Sequence, residues 1–150
     1  MPRAEATLGC PAPSLTSAAP ARCGEVGVLA LVPHPWRHDS WQTPHHVLSR
    51  LARHFPVTWM DPVHERAGAG ERRRRGLPAV WDAPEAPGLC VYTAEWWLPR
   101  LYRPGLLAAW TARERLRRAR ATLAARGCRR TLLYLWRPEF APALDLVPHA

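Results

Sequence analysis

Apolar positions fall along the chain in two alternating rhythms, short unbroken runs and longer amphipathic stretches. Val26 to Val32 is an apolar run bounded by Gly24 and Pro33, the pattern of a strand buried on both faces. Thr43 as cap, Pro44 at the first helical position, and Val47, Leu48, Leu51 and Phe55 recurring on one face predict a helix over 44–54, stopped by Pro56. Val57 to Met60 then reads as a second strand ending in Asp61-Pro62. Strand, helix and strand within about 35 residues make a βαβ unit, the seed of an open sheet.

Further along, His64 to Gly76 offers no apolar face and carries Arg72 to Arg75 in a row. It is a solvated loop or, alternatively, a patch for phosphate or lipid headgroups. Leu77 to Val80 and Leu89 to Thr93 read as a pair of strands, or as one strand preceded by an extended arm, and Trp96-Trp97 follows as core or interface. Leu106 to Arg126 has a helical period, with Leu106, Ala109, Trp110, Leu116, Ala119 and Leu123 on one face. Arg113, Arg115, Arg117, Arg118 and Arg120 fall mostly on the other, and Gly127 stands where a helix cap belongs. Thr131 to Trp136 is another apolar strand, and Pro138-Glu139 opens a short helix carrying Phe140, Leu144 and Leu146. The alternation predicts an α/β fold, a doubly wound parallel sheet with strands near 26–32, 57–61, 89–93 and 131–136, flanked by helices near 44–54 and 106–126. Met1 to Gly24 is rich in Pro and Ala without periodicity and is expected to be a disordered leader to a domain over 25–150.

Composition changes this picture in one respect. The net charge is +9, and all 21 basic residues are Arg; Lys, Ile and Asn are absent. Those three have AT-rich codons, so the arginine excess reads first as the codon bias of a GC-rich, bacterial genome, which weakens it as a sign of nucleic-acid binding. Cys10, Cys23, Cys90 and Cys128 form no C-x-x-C pair, which argues against a zinc site or disulfide framework and for a reducing cytoplasm. No segment has the length of apolar residues that a membrane span needs, and the first residues lack the apolar core of a signal peptide.

In open α/β sheets ligands sit beyond the carboxyl ends of the strands. Those ends here are His34 to Arg37, Asp61, Thr93 with Glu95, and Arg137 with Glu139. The loop from Trp36 to His46 runs into a helix N-terminus, which favours an anion such as a phosphate. It has no G-x-G-x-x-G, which disfavours a nicotinamide or flavin dehydrogenase. His45 and His46 are either a helix-start pair satisfied by solvent or backbone, or a source of one contact, from His45 with Gln42, to a sugar or diphosphate. Trp36 and Trp41 either stack on a sugar ring or anchor the loop. Arg137 and Glu139 form a surface salt bridge or touch substrate. No nucleophile elbow and no pair of carboxylates on one element suggests hydrolysis.

The string from His34 to Pro62, with its W-Q-T-P-H-H block, resembles the start of the amino-terminal domain of GT-B-fold glycosyltransferases close to the family-4 group. Leu132 to His149 is similar to a later strand of that family and the short helix after it. The resemblance implies a Rossmann-like, incomplete GT-B amino-terminal domain that supplies the acceptor side of a cleft. His34, Trp36, Trp41, Gln42, His45, Arg137 and Glu139 are then the substrate-binding candidates. It further implies a nucleotide-sugar as co-substrate, no metal or other cofactor, and a glycan or lipid-linked acceptor in the cell envelope. The donor-holding carboxyl-terminal domain would belong to a missing segment or a partner chain, and the location would be cytoplasmic, at most peripheral at the inner face of the membrane. The isolated chain is then expected to be inactive and to associate through its last strand. The rivals are an arginine-rich module for nucleic acid or an anionic membrane, and a truncated, inactive remnant.

Overall fold

The computed structural model describes residues 25–38, 40–62, 80–93 and 106–147, without the side chains of 106–108. The expected leader at 1–24, the arginine run at 72–75, Glu95 and the Trp96-Trp97 pair lie outside the described residues. The elements in chain order are β1 (Val26–Leu31), α1 (Thr43–Leu51), β2 (Val57–Asp61), β3 (Val80–Asp82), β4 (Leu89–Thr93), α2 (Leu106–Ala125), β5 (Arg130–Leu135), a 3-10 turn (Pro138–Phe140) and α3 (Ala143–Leu146). They build a mixed five-stranded sheet of order β3-β4-β2-β1-β5 with flanking helices, an α/β fold. β1 pairs parallel with β2 on one side (Val28 opposite Val57) and with β5 on the other (Val28 opposite Leu132), and β2 pairs parallel with β4.

β3 departs from the all-parallel sheet that the sequence predicts, since it runs antiparallel to β4, with Trp81 opposite Val91. Only Ala83–Gly88 joins the two strands, and so short a connection can make a hairpin but not a crossover.

Two apolar layers account for the helices. On one face Val28, Ala30 and Val32 of the β1 region, with Val57, Trp59, Leu89 and Val91, pack under Leu48 and Ala52 at α1. On the other, Leu29, Leu31, Met60 and Tyr92 pack under Leu116, Ala119 and Leu123 of α2 and under Phe140, Ala143 and Val147. β1 is therefore buried on both faces, as its apolar run requires.

The faces of both helices differ from the pattern expected. Val47 of α1 is exposed, and the buried face is Pro44, His45 and Leu48. In α2, Trp110 is 55% exposed while Arg115 is buried. At 3.6 residues per turn, Trp110 lies about 120° around the helix from Leu116, so the two cannot share one narrow stripe. The α1 cap also shifts by one residue, from Thr43 to Gln42, whose backbone is extended (φ −103°, ψ 170°).

α2 is fastened at its far end. Gly127 takes φ 83°, its N–H donates to Ala124 O (2.9 Å), and Cys128 N–H donates to Leu123 O (3.1 Å), the two bonds of a Schellman cap. Arg126 donates to Gly88 O at 3.0 Å and pairs with Asp82, tying the helix to the β3–β4 hairpin. Midway, Thr122 Oγ1 donates to Ala119 O (2.6 Å), leaving Thr58 Oγ1 to donate to Thr122 Oγ1 (2.6 Å) and the Cys90 thiol to donate to Thr58 (3.2 Å). A one-way hydroxyl chain thus satisfies three polar groups between sheet and helix.

Gly27 lets this end come close: a Cβ there would meet Cys128 Sγ and Leu123 Cδ2, each at 2.9 Å. Gly27→Val is expected to destabilise by about 1–3 kcal/mol through overpacking. Urea denaturation should show this as a lower midpoint at unchanged slope, whereas Ala124→Ser on the exposed side of α2 should leave the midpoint nearly in place.

Candidate functional site

The chain leaves β1 and passes through Pro33–Gln42 into α1, and this loop is held by its aromatic side chains. Trp36 is buried, with its ring 5.1 Å from Trp59, 5.5 Å from Trp41 and 5.4 Å from His45. Its backbone N–H donates to Asp61 Oδ1 at 2.8 Å, so the carboxylate at the end of β2 fixes the loop that follows β1. Its indole Nε1–H reaches Glu85 Oε2 at 3.5 Å. Beside it, the Arg37 guanidinium lies 4.7 Å above the Trp81 ring, a cation–π contact that carries the loop toward the edge of the sheet.

His45 is wholly buried, and of the two readings of the helix-start pair it matches the one in which the ring is satisfied by backbone. Its ring is 4.7 Å from Trp59 and stacks on Trp41 at 6.0 Å. Gln42 N–H donates to Nδ1 (3.2 Å), so Nε2 carries the proton and donates to Pro35 O (3.1 Å). Both nitrogens are engaged within the protein. Burial disfavours the imidazolium and lowers the pKa below the ordinary 6.5.

The other candidates lie nearer solvent. Trp41 is 41% exposed, with its ring 5.5 Å from His46, and Gln42 is half-buried. His34 is half-buried, edge-on to His38 at 6.1 Å. Arg137 and Glu139 are exposed, and no ion pair joins them. The salt bridge that was one account of that pair is therefore not formed.

Topology brings these groups to one end of the sheet. β1 and β5 are parallel neighbours, and Trp136 N–H donates to Leu31 O (3.1 Å), so the His34 and Arg137 segments leave the sheet side by side. The strand order also reverses at β1, which is where an open α/β sheet leaves a crevice. At this end of the sheet Trp36, Trp41, Gln42 and His45 form one cluster. Among the described residues no hydrogen bond or ion pair joins that cluster to Arg137 or Glu139.

Asp61, one of the strand ends named from the sequence, holds the loop by accepting Trp36 N–H. Arg115 of α2, read from the sequence as one of the surface arginines, is buried. Away from the crevice, a groove of about 340 Å³ runs along α2, with Arg113, Arg117 and Arg120 beside Leu116, Cys128, Leu146 and Val147. Glu114 accepts from Arg117 Nε and Nη2 (2.8 and 2.7 Å) and from Arg118 Nε (2.6 Å). Those hydrogen bonds hold its carboxyl down at about 2. Among the described residues no group of His, Cys, Asp or Glu is disposed to hold a metal, and no helix is long and apolar enough to cross a membrane.

The buried imidazole makes stability depend on pH in a stated direction. His45 has a lower pKa folded than unfolded, so the unfolded chain binds the extra proton first as pH falls below about 6.5, and stability should decline from there. His45→Asn keeps an acceptor for Gln42 N–H and should flatten that decline, while His45→Ala should cost about 2–4 kcal/mol by opening the core. Thermal unfolding of the three proteins between about pH 5 and pH 7.5 measures both effects.

No protein-family model matches this chain, and neither the curated proteins nor the solved structures contain a significant match to it.

Proposed function

We propose that this chain is the acceptor-side, Rossmann-like part of a GT-B-like glycosyltransferase, which holds a glycan or lipid-linked acceptor while a sugar is transferred from a nucleotide-sugar. One observation carries the reading: two exposed indoles, Trp41 and Trp136, flank the end of the sheet at which its strand order reverses. Sugar rings present apolar C–H faces, and exposed indoles are the side chains suited to cover them. Gln42, His34, Arg137 and Glu139 supply hydrogen-bonding groups of the kind that fix a polyol, and Trp36 and His45, both buried, position the loop. The order β4-β2-β1-β5 is also what half of a Rossmann-like sheet requires.

In the reaction the anomeric carbon passes from the diphosphate oxygen to an acceptor hydroxyl, and the hydroxyl proton must leave. This half orients the acceptor. The contacts that neutralise the departing diphosphate belong to a donor-holding domain, and a cleft with both walls is what gives the positioning advantage.

The second reading, an arginine-rich binding helix, is favoured by the Arg113–Arg117–Arg120 side of the α2 groove. Against it, Leu116 and Leu123 are buried under the sheet, which makes α2 a structural layer of the domain. Its arginines should then bind duplex DNA only through counterion release. Filter binding should show the same affinity for any sequence, lost by ~200 mM salt.

Titration calorimetry with the purified chain tests the main reading. Oligosaccharide acceptors should bind at roughly millimolar strength with quenching of tryptophan fluorescence, and Trp41→Ala should weaken binding about tenfold, equivalent to ~1.4 kcal/mol. Nucleotide-sugars should not bind. Micromolar binding of a nucleotide-sugar, together with no glycan binding, would overturn the acceptor-side assignment.

A further inference from the structure

We propose that the groove along α2 is a binding site for a single-chain amphipathic anion, an alkyl phosphate, whose phosphate is held by Arg113 and Arg120 and whose chain lies toward Cys128. The inference does not rest on the transferase reading. The groove, of about 340 Å³, is floored by the apolar layer on the α2 face of the sheet, whereas Trp36 packs in the layer on the α1 face.

The helical period divides the lining into two parts. Positions 113, 117, 120, 121 and 124 fall on one stripe of α2, about 16 Å long at 1.5 Å per residue. Arg113, Arg117 and Arg120 occupy the two turns at its start. Beyond Arg120 the lining is Ala121, Ala124 and Cys128, joined by Leu146 and Val147 from the end of α3, and none of these carries a charge. Ala121 and Ala124 are exposed and short, which leaves room for a chain between the helix and the residues that end α3. Cys128 and Val147 belong to the core beneath, so this apolar part is a surface of the packed domain.

Charge complementarity selects the occupant. Glu114 is the one acid of α2, and it is engaged by Arg117 and Arg118. Arg113 and Arg120 make no ion pair or hydrogen bond among the described residues, and Asp145, exposed on α3, pairs with neither. Two uncompensated positive charges therefore stand beside an apolar trough. A bare phosphate would leave the trough uncovered, and an uncharged chain would leave the arginines unmatched; an anion with an alkyl tail satisfies both. A phosphate monoester is the head suited to two guanidinium forks that approach it from either side of Arg117. Size argues against a protein partner. Nine residues line the groove, whereas a stable protein interface takes roughly 20–30 a side, and the volume lies at the small end of the roughly 300–1,000 Å³ of small-molecule sites.

Titration calorimetry of the full chain with decyl phosphate, kept below its micelle concentration, tests the proposal against methyl phosphate, which is the head alone, and decyltrimethylammonium, which has the same chain and the opposite charge. Decyl phosphate should bind about a hundredfold more tightly than methyl phosphate, as burial of several methylenes requires, and the ammonium should not bind. Arg113→Glu and Arg120→Glu should each weaken binding about tenfold. Ala124→Trp, which fills the apolar part from an exposed position, should abolish it, with circular dichroism unchanged in all three variants. NMR gives an independent reading: the amides of Ala121, Ala124, Cys128 and Leu146 should shift on addition of decyl phosphate, while those of Trp41 and Gln42 stay in place. Equal binding of methyl and decyl phosphate, binding indifferent to these substitutions, shifts confined to the Trp41 loop, or retention on anionic vesicles with no response to monomeric decyl phosphate would overturn the proposal.

Discussion

His45 must be uncharged for the loop after β1 to keep its shape. Gln42 N–H points at its Nδ1 and Pro35 O receives its Nε2–H, so a second proton would set two donors against each other in a site that burial has already stripped of water. Three indoles close around the ring, and the innermost, Trp59, belongs to β2. One neutral side chain thereby joins the end of β1, the start of α1 and the middle of the sheet. Asp61 completes the hold from the next strand by accepting Trp36 N–H. The loop is thus tied to the sheet at several separate points, through Trp36, His45 and Asp61.

Behind the loop the sheet has two demanding faces, and β1 serves both. Its residues alternate between the α1 layer and the α2 layer, so neither helix can be displaced without exposing part of the same strand. α2 has few large apolar residues, yet it is well anchored. Leu116 and Leu123 supply burial, the Cys90–Thr58–Thr122–Ala119 chain supplies polar satisfaction, and Gly127 and Arg126 close its far end. Arg113 and Arg117 face water and Arg115 is buried, so a basic helix serves as a layer of the domain with most of its charge on the outer side.

Much of this was legible in the chain. The apolar runs at Val26–Val32, Val57–Met60, Leu89–Thr93 and Thr131–Trp136 coincide closely with β1, β2, β4 and β5, because a strand buried by neighbours on both faces leaves a continuous signature. Pro44 marked the start of α1 and Gly127 the end of α2, while α1 ends at Leu51, short of the 44–54 that Pro56 suggested. β3 was not legible as an antiparallel strand, since three residues carry no period and only the short connection to β4 determines its direction. The inward turn of His45 was also hidden. Its neighbours in sequence are polar or small, and the partners that bury it, Trp36 and Trp59, arrive from other segments. Arg115 and Trp110 exchanged their expected places because the docked face of α2 is set by the sheet, and the sequence offered two overlapping stripes. The gathering of Trp36, Trp41, Gln42 and His45 could be read from their shared loop; the separation of Arg137 and Glu139 from that cluster could not.

The account stands most directly on the state of His45. Nitrogen-detected NMR of the imidazole, followed through a pH titration of the folded chain, reports both its tautomer and its pKa. The account predicts a neutral ring protonated at Nε2, with Nδ1 as acceptor, that titrates below the ordinary 6.5. A His45 that titrates at or above that value, or that carries its proton on Nδ1, would contradict it.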